Sequence, residues 1–510
     1  MKKLVSFFLT ALFLFSISAP TPAAHAEAPI IGYMGDLNSD QNVNTADVVI
    51  LSKYLLNFSA LHDDAVKYAD MDKDGQIDGF DLVLLRKTVL GLRPLDPIYG
   101  EETDFIDPPI YDLYGSLPSQ GDAKLLIFYV DFPDCKYDYE PSMEQVEKIA
   151  FGDEDPKNNN YPFESMKAFY KRSSKGVMKL DGKAYRYTTK NSKSYYENDS
   201  WKIKLVNEVM AEMDKYVDLS EFDSDDDDTI DAILFNVPTS AGDDNWWPCA
   251  GIFGGDRIKR YDGKTIGHVI TGNAQIKSAS DFQNFNSTYL HEMGHCMGLP
   301  DFYLYNKDDD WEGLHGSAGY ALMDDSLADF TAISKLQLGW YKEDQVQVYD
   351  ASKGEQSFKL YNCQTDAGNC LIIPCGELND KYRSEYFIIE YFALDNNNRY
   401  VDKYYWWKPK ENGIRVFHIE ASQNDNEWYP SFRYSSGNNE DTNYDNGRRF
   451  VRLIDDSDTY NIYKSGNIID NKIPGFRWYD SSGGQTVDTG LKITIGDLVD
   501  GAYTITVSAA

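Results

Sequence analysis

Residues 36–56 and 70–90 repeat one another at an offset of 34 with no gap: DLNSDQNVNTADVVILSKYLL lies over DMDKDGQIDGFDLVLLRKTVL. Each copy opens on oxygen-bearing residues at loop positions 1, 3, 5, 9 and 12. These are Asp36, Asn38, Asp40, Asn44 and Asp47 in the first copy, and Asp70, Asp72, Asp74, Asp78 and Asp81 in the second. Such alternation lets a tight loop wrap side-chain oxygens around Ca²⁺, with position 7 (Asn42 or Gln76) supplying a main-chain carbonyl. Gly75 takes the sharp-turn position, whereas Gln41 replaces glycine in the first loop, which is expected to be the more strained or weaker site. After the loops, Val48-Val49-Leu51-Leu55 and Leu82-Val83-Leu85-Val89 recur at helical spacing. Two loop–helix units of this size are too small to fold firmly without metal, so calcium binding and folding are expected to coincide.

At 510 residues the chain is too long for one ordinary domain. Acids outnumber bases by 82 to 49, a formal charge of −33, which argues against a nucleic-acid partner. The first residues read as a secretory signal: Lys2 and Lys3, an apolar run from Leu4 to Ile17, then Ala24-His25-Ala26, with cleavage expected after Ala26. No later segment approaches the ~20 apolar residues that span a bilayer, so an exported protein without a membrane anchor is expected. Export permits disulfides, and Cys363, Cys370 and Cys375 are near enough in sequence for one local bridge. Residues 95–120 carry Pro97, Pro108, Pro109 and Pro118 and read as a semi-extended linker.

AKLLIFYVDFPD (123–134) and DAILFNV read as buried strands, and ESMKAFYKRSS and WKIKLVNEVMAEMDKYV as helices. Asp262-Gly263 marks a hairpin turn. Then HEMGHCMGLPD (291–301) places His291 and His295 four residues apart, stacked on one helix face where both can hold zinc. Glu292 is placed to reach a water on that ion rather than the ion itself. Gly298 allows the helix to end in a left-handed turn that brings Asp301 toward the metal as third ligand, leaving one position open. Asp324 and Asp325 are reserve candidates for that ligand. Zinc acidifies its water, Glu292 acts as general base, and Tyr303 or Tyr320 is a candidate donor to the oxyanion, against a plain packing role. Met323, in GYALMDD, offers a methionine turn beneath the site. Cys296 reads as packing, as do His268 and His418 in strand-like runs; His62 lies in a polar stretch and His315 in a Gly-rich loop.

Two resemblances follow from these residues. Residues 33–94, paired calcium loop–helix repeats on an exported chain, resemble a type I dockerin. The resemblance implies a cohesin module of a scaffoldin as partner, and attachment to a cellulosome-like assembly, at the cell surface or free. It also implies contacts through Thr45, Ala46, Ser52 and Lys53 in one repeat and Gly79, Phe80, Arg86 and Lys87 in the other. These sets differ, so one face is expected to dominate. Residues 120–425 resemble the immune inhibitor A-like, metzincin-type secreted metallopeptidases through VDFPD, SMKAFYKRSS, DSDDDDTIDAILF, HEMGHCMGLPDFY, ALMDD, KLQLGW, EYFIIEYFALD and NGIRVFHIEAS. That resemblance implies endopeptidase activity on protein or peptide substrates. It also implies a third calcium loop at Asp223, Asp225, Asp227 and Asp231, with Asp228 where the family has glycine.

From about residue 346, short strand-like runs separated by turn-rich segments suggest an antiparallel sandwich. Trp246-Trp247 and Tyr404-Tyr405-Trp406-Trp407 are either ligand platforms or core. The chain is therefore expected to be multidomain: signal peptide 1–26, a small all-α calcium-binding dockerin at 33–94, linker 95–120, an α+β metzincin-like catalytic domain at 121–345, and a C-terminal all-β sandwich-like domain at 346–510. The function expected is a secreted zinc endopeptidase. A catalytically inactive binding or assembly component is the alternative, and a glycoside hydrolase lacks any identifiable acid–base carboxylate pair.

Overall fold

A computed structural model describes residues 30–38, 40, 42–61, 63–99, 104–112, 115–155, 164–197, 199, 202–239, 243–252, 260–273, 276–278, 286–303, 321–325, 328–363, 365, 368–379, 381–399, 401, 411–424, 431–435, 447–454 and 462–510. The expected signal peptide, Gln41, His62, His315, Tyr320 and residues 404–407 lie outside the described residues. The chain divides into two compact units, Met1–Thr103 and Asp104–Ala510.

In the first unit, strand β1 (Ile30–Tyr33) is followed by helices α1 (Thr45–Leu55), α2 (Asp63–Ala69) and α3 (Gly79–Val89) and by strand β2 (Pro97–Tyr99). The repeat explains where the helices begin. Asn44 accepts from Ala46 N–H at 2.8 Å while Asp47 accepts from Asn44 N–H at 2.8 Å, a capping box. Asp78 and Asp81 repeat it at 2.7 Å and 2.7 Å. Leu51 and Leu85, 34 residues apart, are fully buried and share one small core with Met34, Leu37, Ala65, Ala69 and Met71. A Cβ at Gly35, whose φ is +93°, would stand 2.7 Å from Leu85 Cδ1, so only glycine lets the loop approach α3. Antiparallel pairing of β1 with β2, Tyr33 opposite Pro97, joins the two ends of the unit.

The second unit begins with β3 (Gly121–Asp131), α4 (Met143–Phe151), α5 (Met166–Ser173), β4 (Met178–Thr188), α6 (Lys193–Glu197), α7 (Ile203–Met213), β5 (Thr229–Val237), β6 (Cys249–Ile252), β7 (Thr265–Asn273), α8 (Asn286–Cys296), α9 (Leu322–Asp325) and α10 (Ala332–Gln337). The sheet order is β4-β3-β5-β7-β6, parallel throughout except for β6 at the edge. β3 is apolar without alternation because both of its faces are covered. Leu125, Ile127 and Tyr129 join a core with α4, α5 and α8, whereas Leu126, Phe128 and Val130 meet Leu205, Val209 and Met210 of α7. The hairpin turn is present: Asp262 (φ +47°) and Gly263 (φ +84°) join Tyr261 to Lys264.

The remaining strands are β8 (Val346–Val348), β9 (Gln356–Tyr361), β10 (Cys370–Pro374), β11 (Glu385–Phe392), β12 (Gly413–Glu420), β13 (Val451–Leu453), β14 (Ile468–Ile469), β15 (Arg477–Tyr479), β16 (Gln485–Asp488), β17 (Leu491–Val499) and β18 (Ala502–Ala509). They form sheets β13-β12-β11-β10-β8 and β14-β17-β18-β9 and the pair β15-β16. Phe387, Ile389 and Val416 share a core with Ile493, Ile505 and Val507, so one face of the first sheet meets the second. Its opposite face, through Ile388, Phe417 and Ile419, joins the core that contains Met293 and Met323. That core therefore crosses residue 345 without a break.

The linker expected over 95–120 is corrected in extent. Residues 97–99 are strand, and Ile106, Ile110, Leu117 and Ser119 are buried in the second unit. Pro109 opens a short 3-10 helix over Pro109–Asp112, and the apolar residues of the segment are spaced to enter a core rather than water. At Gly115 a Cβ would stand 2.8 Å from the Met297 main chain, and the N–H groups of Ser116 and Leu117 both donate to Cys296 O at 3.0 Å. The segment thus supplies donors to the carbonyl end of α8, which a helix leaves without internal partners.

One polar knot ties these parts together. Asp329 accepts from Ser173 Oγ at 2.5 Å, Asn397 Nδ2 at 3.2 Å and Lys335 Nζ at 2.7 Å, and both charged residues are buried. Glu390 on β11 accepts from Ala332 N–H at 2.5 Å, capping α10, and pairs with Arg415. Replacing Lys335 by methionine strands the Asp329 charge in the core. Lys335→Met is expected to lower stability by about 3–5 kcal/mol, read as earlier loss of near-UV circular dichroism in denaturant; an unchanged transition would show that the pair does not hold this junction.

Candidate functional site

α8 carries His291 and His295 one turn apart, with ring centroids 4.8 Å from each other at 84°. The helix ends where Gly298 takes φ +99°, its N–H donating to His295 O at 2.8 Å and that of Leu299 to Gly294 O at 3.0 Å. The turn returns the chain so that Asp301 Oδ1 lies 2.9 Å from His291 Nε2 and 3.1 Å from His295 Nε2. One ligand atom from each of the three lies within 4.8 Å of the others. Asp324, although buried, is not among that set, and only the backbone of Asp325 is described.

The outer partners determine which nitrogen faces inward. His291 Nδ1 lies 2.7 Å from Leu322 O, and His295 Nδ1 2.7 Å from Leu299 O. A carbonyl only accepts, so each Nδ1 carries hydrogen and each Nε2 is turned toward Asp301. Two imidazole nitrogens and a carboxylate oxygen that converge in this way require a proton or a metal cation among them. This donor set suits zinc, which takes imidazole nitrogen and carboxylate oxygen at sites with three protein ligands.

Burial opposes charge on His295, but the Asp301 hydrogen bond and charge outweigh it and push the ring up to about 9. Burial likewise opposes charge on Asp301, yet hydrogen bonds from both histidines hold its carboxyl well below the usual range. Glu292 is buried beside them, and burial pushes its carboxyl upward against the pull of both histidines. Tyr303 packs with its ring centroid 5.9 Å from that of His291, and burial, with the charge of Asp301, pushes its hydroxyl well above the usual range. Met323 is fully buried under α8: a Cβ on Gly294 would stand 2.4 Å from its Sδ, and Phe302 N–H donates to its carbonyl at 2.8 Å.

Several residues weighed from sequence belong elsewhere. His268 is buried, bonded through Nδ1 to Ser116 Oγ at 2.8 Å, and burial pulls it down to about 3, so it is a neutral packed ring. His418 is stacked between Phe387 and Tyr479 at 4.6 and 4.4 Å. Trp246 is core and Trp247 is exposed. Cys296 is buried, and none of the six cysteines is in a disulfide, so the local bridge among Cys363, Cys370 and Cys375 is not formed. The carbonyls of Leu299 and Leu322 were not identified from sequence, because main-chain groups carry no residue signature.

In the second calcium loop, ligand atoms of Asp70, Asp72 and Asp81 lie within 4.8 Å of one another. Asp70 accepts from Gly75 N–H at 2.8 Å, made possible by Gly75 at φ +86°. Position 12 does double duty: Asp81 is also the capping-box residue of α3, as Asp47 is of α1. The first loop has Asp36, Asp40 and Asp47 where the second has five aspartates, with Asn38 and Asn44 completing it. In the third loop, Asp223, Asp225 and Asp231 also come within 4.8 Å. There, however, Lys264 Nζ lies 2.6 Å from Asp223, Asp227 accepts from Thr229 N–H, and Asp231 accepts from Ser224 and from Lys124 N–H. Asp228 adopts φ +68°, the conformation glycine takes most readily.

The chain is thus a multidomain protein with a small helical N-terminal domain and a β-rich remainder. Residues 34–90 match the family model of the dockerin type I domain. That domain supports calcium as its metal, cohesin as its partner and a cellulosome-type assembly as its setting. No characterised protein matches the chain. Among the described residues, no helix is long and apolar enough to cross a membrane.

Since calcium affinity rises with ligand charge, a calorimetric titration is expected to resolve two dockerin affinities. Asp70→Ala should remove the tighter one and Asp36→Ala the weaker. The opposite assignment, or two equal sites in the unaltered domain, would contradict this ranking.

Proposed function

We propose that this protein is a secreted zinc-dependent endopeptidase, tethered through residues 33–94 to the cohesin module of a scaffoldin. The observation that carries the hydrolase reading is the convergence of His291 Nε2, His295 Nε2 and Asp301 Oδ1 beside the buried Glu292. These three residues would hold the metal. When bound, zinc supplies Lewis acidity, acidifying water and polarising the scissile carbonyl. Glu292 does the proton work, taking a proton from the attacking water and returning it to the leaving amine. β6, last in the sheet order and beside α8, offers main-chain groups to an extended peptide, a mode of binding that tolerates many sequences.

Hydrolysis of unfolded casein by residues 27–510 in calcium tests this reading. Glu292→Ala is expected to keep zinc and lose roughly 10²- to 10⁴-fold in kcat, Asp301→Ala to lose zinc, and a zinc chelator to abolish activity. A folded, zinc-loaded wild type that cleaves nothing would overturn it.

The tether is asymmetric in this reading. Exposed apolar residues recur at the repeat offset, Val49 with Val83 and Leu56 with Leu90, but exposed Phe80 answers to Ala46. Ser52 is half-buried with its hydroxyl bonded to Val48 O at 2.6 Å, whereas its counterpart Arg86 is exposed. The second repeat therefore offers both the larger apolar anchor and the free guanidinium, features enriched at interface hot spots. Phe80→Asp is expected to weaken cohesin binding at least about tenfold more than Ala46→Asp, by analogy with hot-spot truncation; equal losses by calorimetry would refute the asymmetry.

A further inference from the structure

We infer that the Lys264 ammonium is the cation of the Asp223–Asp231 loop, so that the second unit holds this loop without calcium and calcium dependence is confined to the dockerin. The metallopeptidase resemblance implies a calcium ion here, and the loop backbone is folded as a calcium loop is. Asp223 accepts from the N–H groups of Asp227 and Asp228 at 3.1 Å each, and Asp227 from that of Thr229 at 2.7 Å. In the second dockerin loop, Asp70 accepts from the N–H groups of Asp74 and Gly75 at 3.2 and 2.8 Å, and Asp74 from that of Gln76 at 2.8 Å. Loop positions 1, 5, 6 and 7 bond alike in both.

The cation is what differs. Lys264 Nζ lies 2.6 Å from Asp223 Oδ2 and 3.2 Å from Asp228 Oδ1. Beside the second dockerin loop, Lys73 and Arg93 pair with Asp96 instead. Sheet register delivers the lysine. Thr265 opens β7 opposite Thr229 on β5, and its N–H donates to Asp228 O at 2.8 Å, so the residue before it lies at the loop. Asp228 stands where the family has glycine, and its carboxylate supplies the second oxygen to the ammonium. The aspartate and the lysine together take the place of the ion.

A calcium ion on Asp223 would share that carboxylate with the ammonium, and like charges so close repel. Asp231 is fully buried with both oxygens engaged, Oδ1 by Ser224 N–H at 2.9 Å, and Oδ2 by Ser224 Oγ at 2.5 Å and Lys124 N–H at 2.7 Å. Calcium takes about six to eight oxygen ligands, and here an ammonium and a hydroxyl already hold two of the carboxylates it would use.

All nine tryptophans lie in the second unit, so their fluorescence in the full exported chain reports that unit alone. At fixed excess zinc, the thermal midpoint of this signal is expected not to move when calcium is added, and calorimetry to count no calcium beyond that of the dockerin. Lys264→Met combined with Asp228→Gly is expected to bind one further ion and to gain about 3 °C in this midpoint at roughly a hundredfold excess of calcium over Kd. Lys264→Arg, which keeps the charge, is expected to stay unresponsive. A wild type whose tryptophan midpoint rises with calcium, or that binds a third ion, would overturn the inference. So would a folded double variant that still ignores calcium, since Lys264 would then not be what excludes the ion.

Discussion

Two imidazole nitrogens within 2.9 and 3.1 Å of one carboxylate oxygen need a proton or a metal cation among them, and much of the second unit serves to keep them there. The helix supplies the spacing of His291 and His295, and Gly298 supplies the reversal that returns Asp301. Leu322 O then fixes one ring from a separate segment, whose own position depends on Leu322 N–H donating to Asp329 O at 3.2 Å. Asp329 is in turn held by Ser173 from α5, Lys335 from α10 and Asn397 from beyond β11. The histidine geometry thus rests on residues as distant in sequence as Ser173 and Asn397, linked by buried polar contacts whose rupture is costly.

That dependence gives the β-rich C-terminal region a mechanical part in the site. One face of its five-stranded sheet packs against the second sheet and the other against the core under α8. Close packing leaves little slack between them. The C-terminal region supports the histidine-bearing helix α8 directly, and it also caps and anchors α10 through Glu390 and Arg415.

Acidic loops meet different physical outcomes in the two units. In the N-terminal domain, clustered carboxylates have no lysine among the partners described, and their loop aspartates double as helix caps, so metal binding and helix initiation share the same side chains. In the Asp223–Asp231 loop, similar residues are engaged by Lys264, Ser224 and main-chain amides. An ammonium 2.6 Å from Asp223 supplies positive charge from the protein itself. The sequence pattern of alternating aspartates is common to both; the neighbour across the fold is not.

By itself the sequence determined what depends on local spacing. Periodicity and turn residues were sufficient for the loop–helix repeats, the buried strand within 123–134, the turn at Asp262-Gly263, and the alignment of His291, His295 and Asp301, because each is set within about a dozen residues. Tertiary structure decided what arrives from elsewhere in the chain. It buried Ile106, Ile110 and Leu117 where composition suggested linker, it put Lys264 on the third acidic loop, and it brought Leu322 O to His291. Residue spacing fixes direction along a helix or turn, but which distant carbonyl, ammonium or apolar face meets it depends on how whole layers pack.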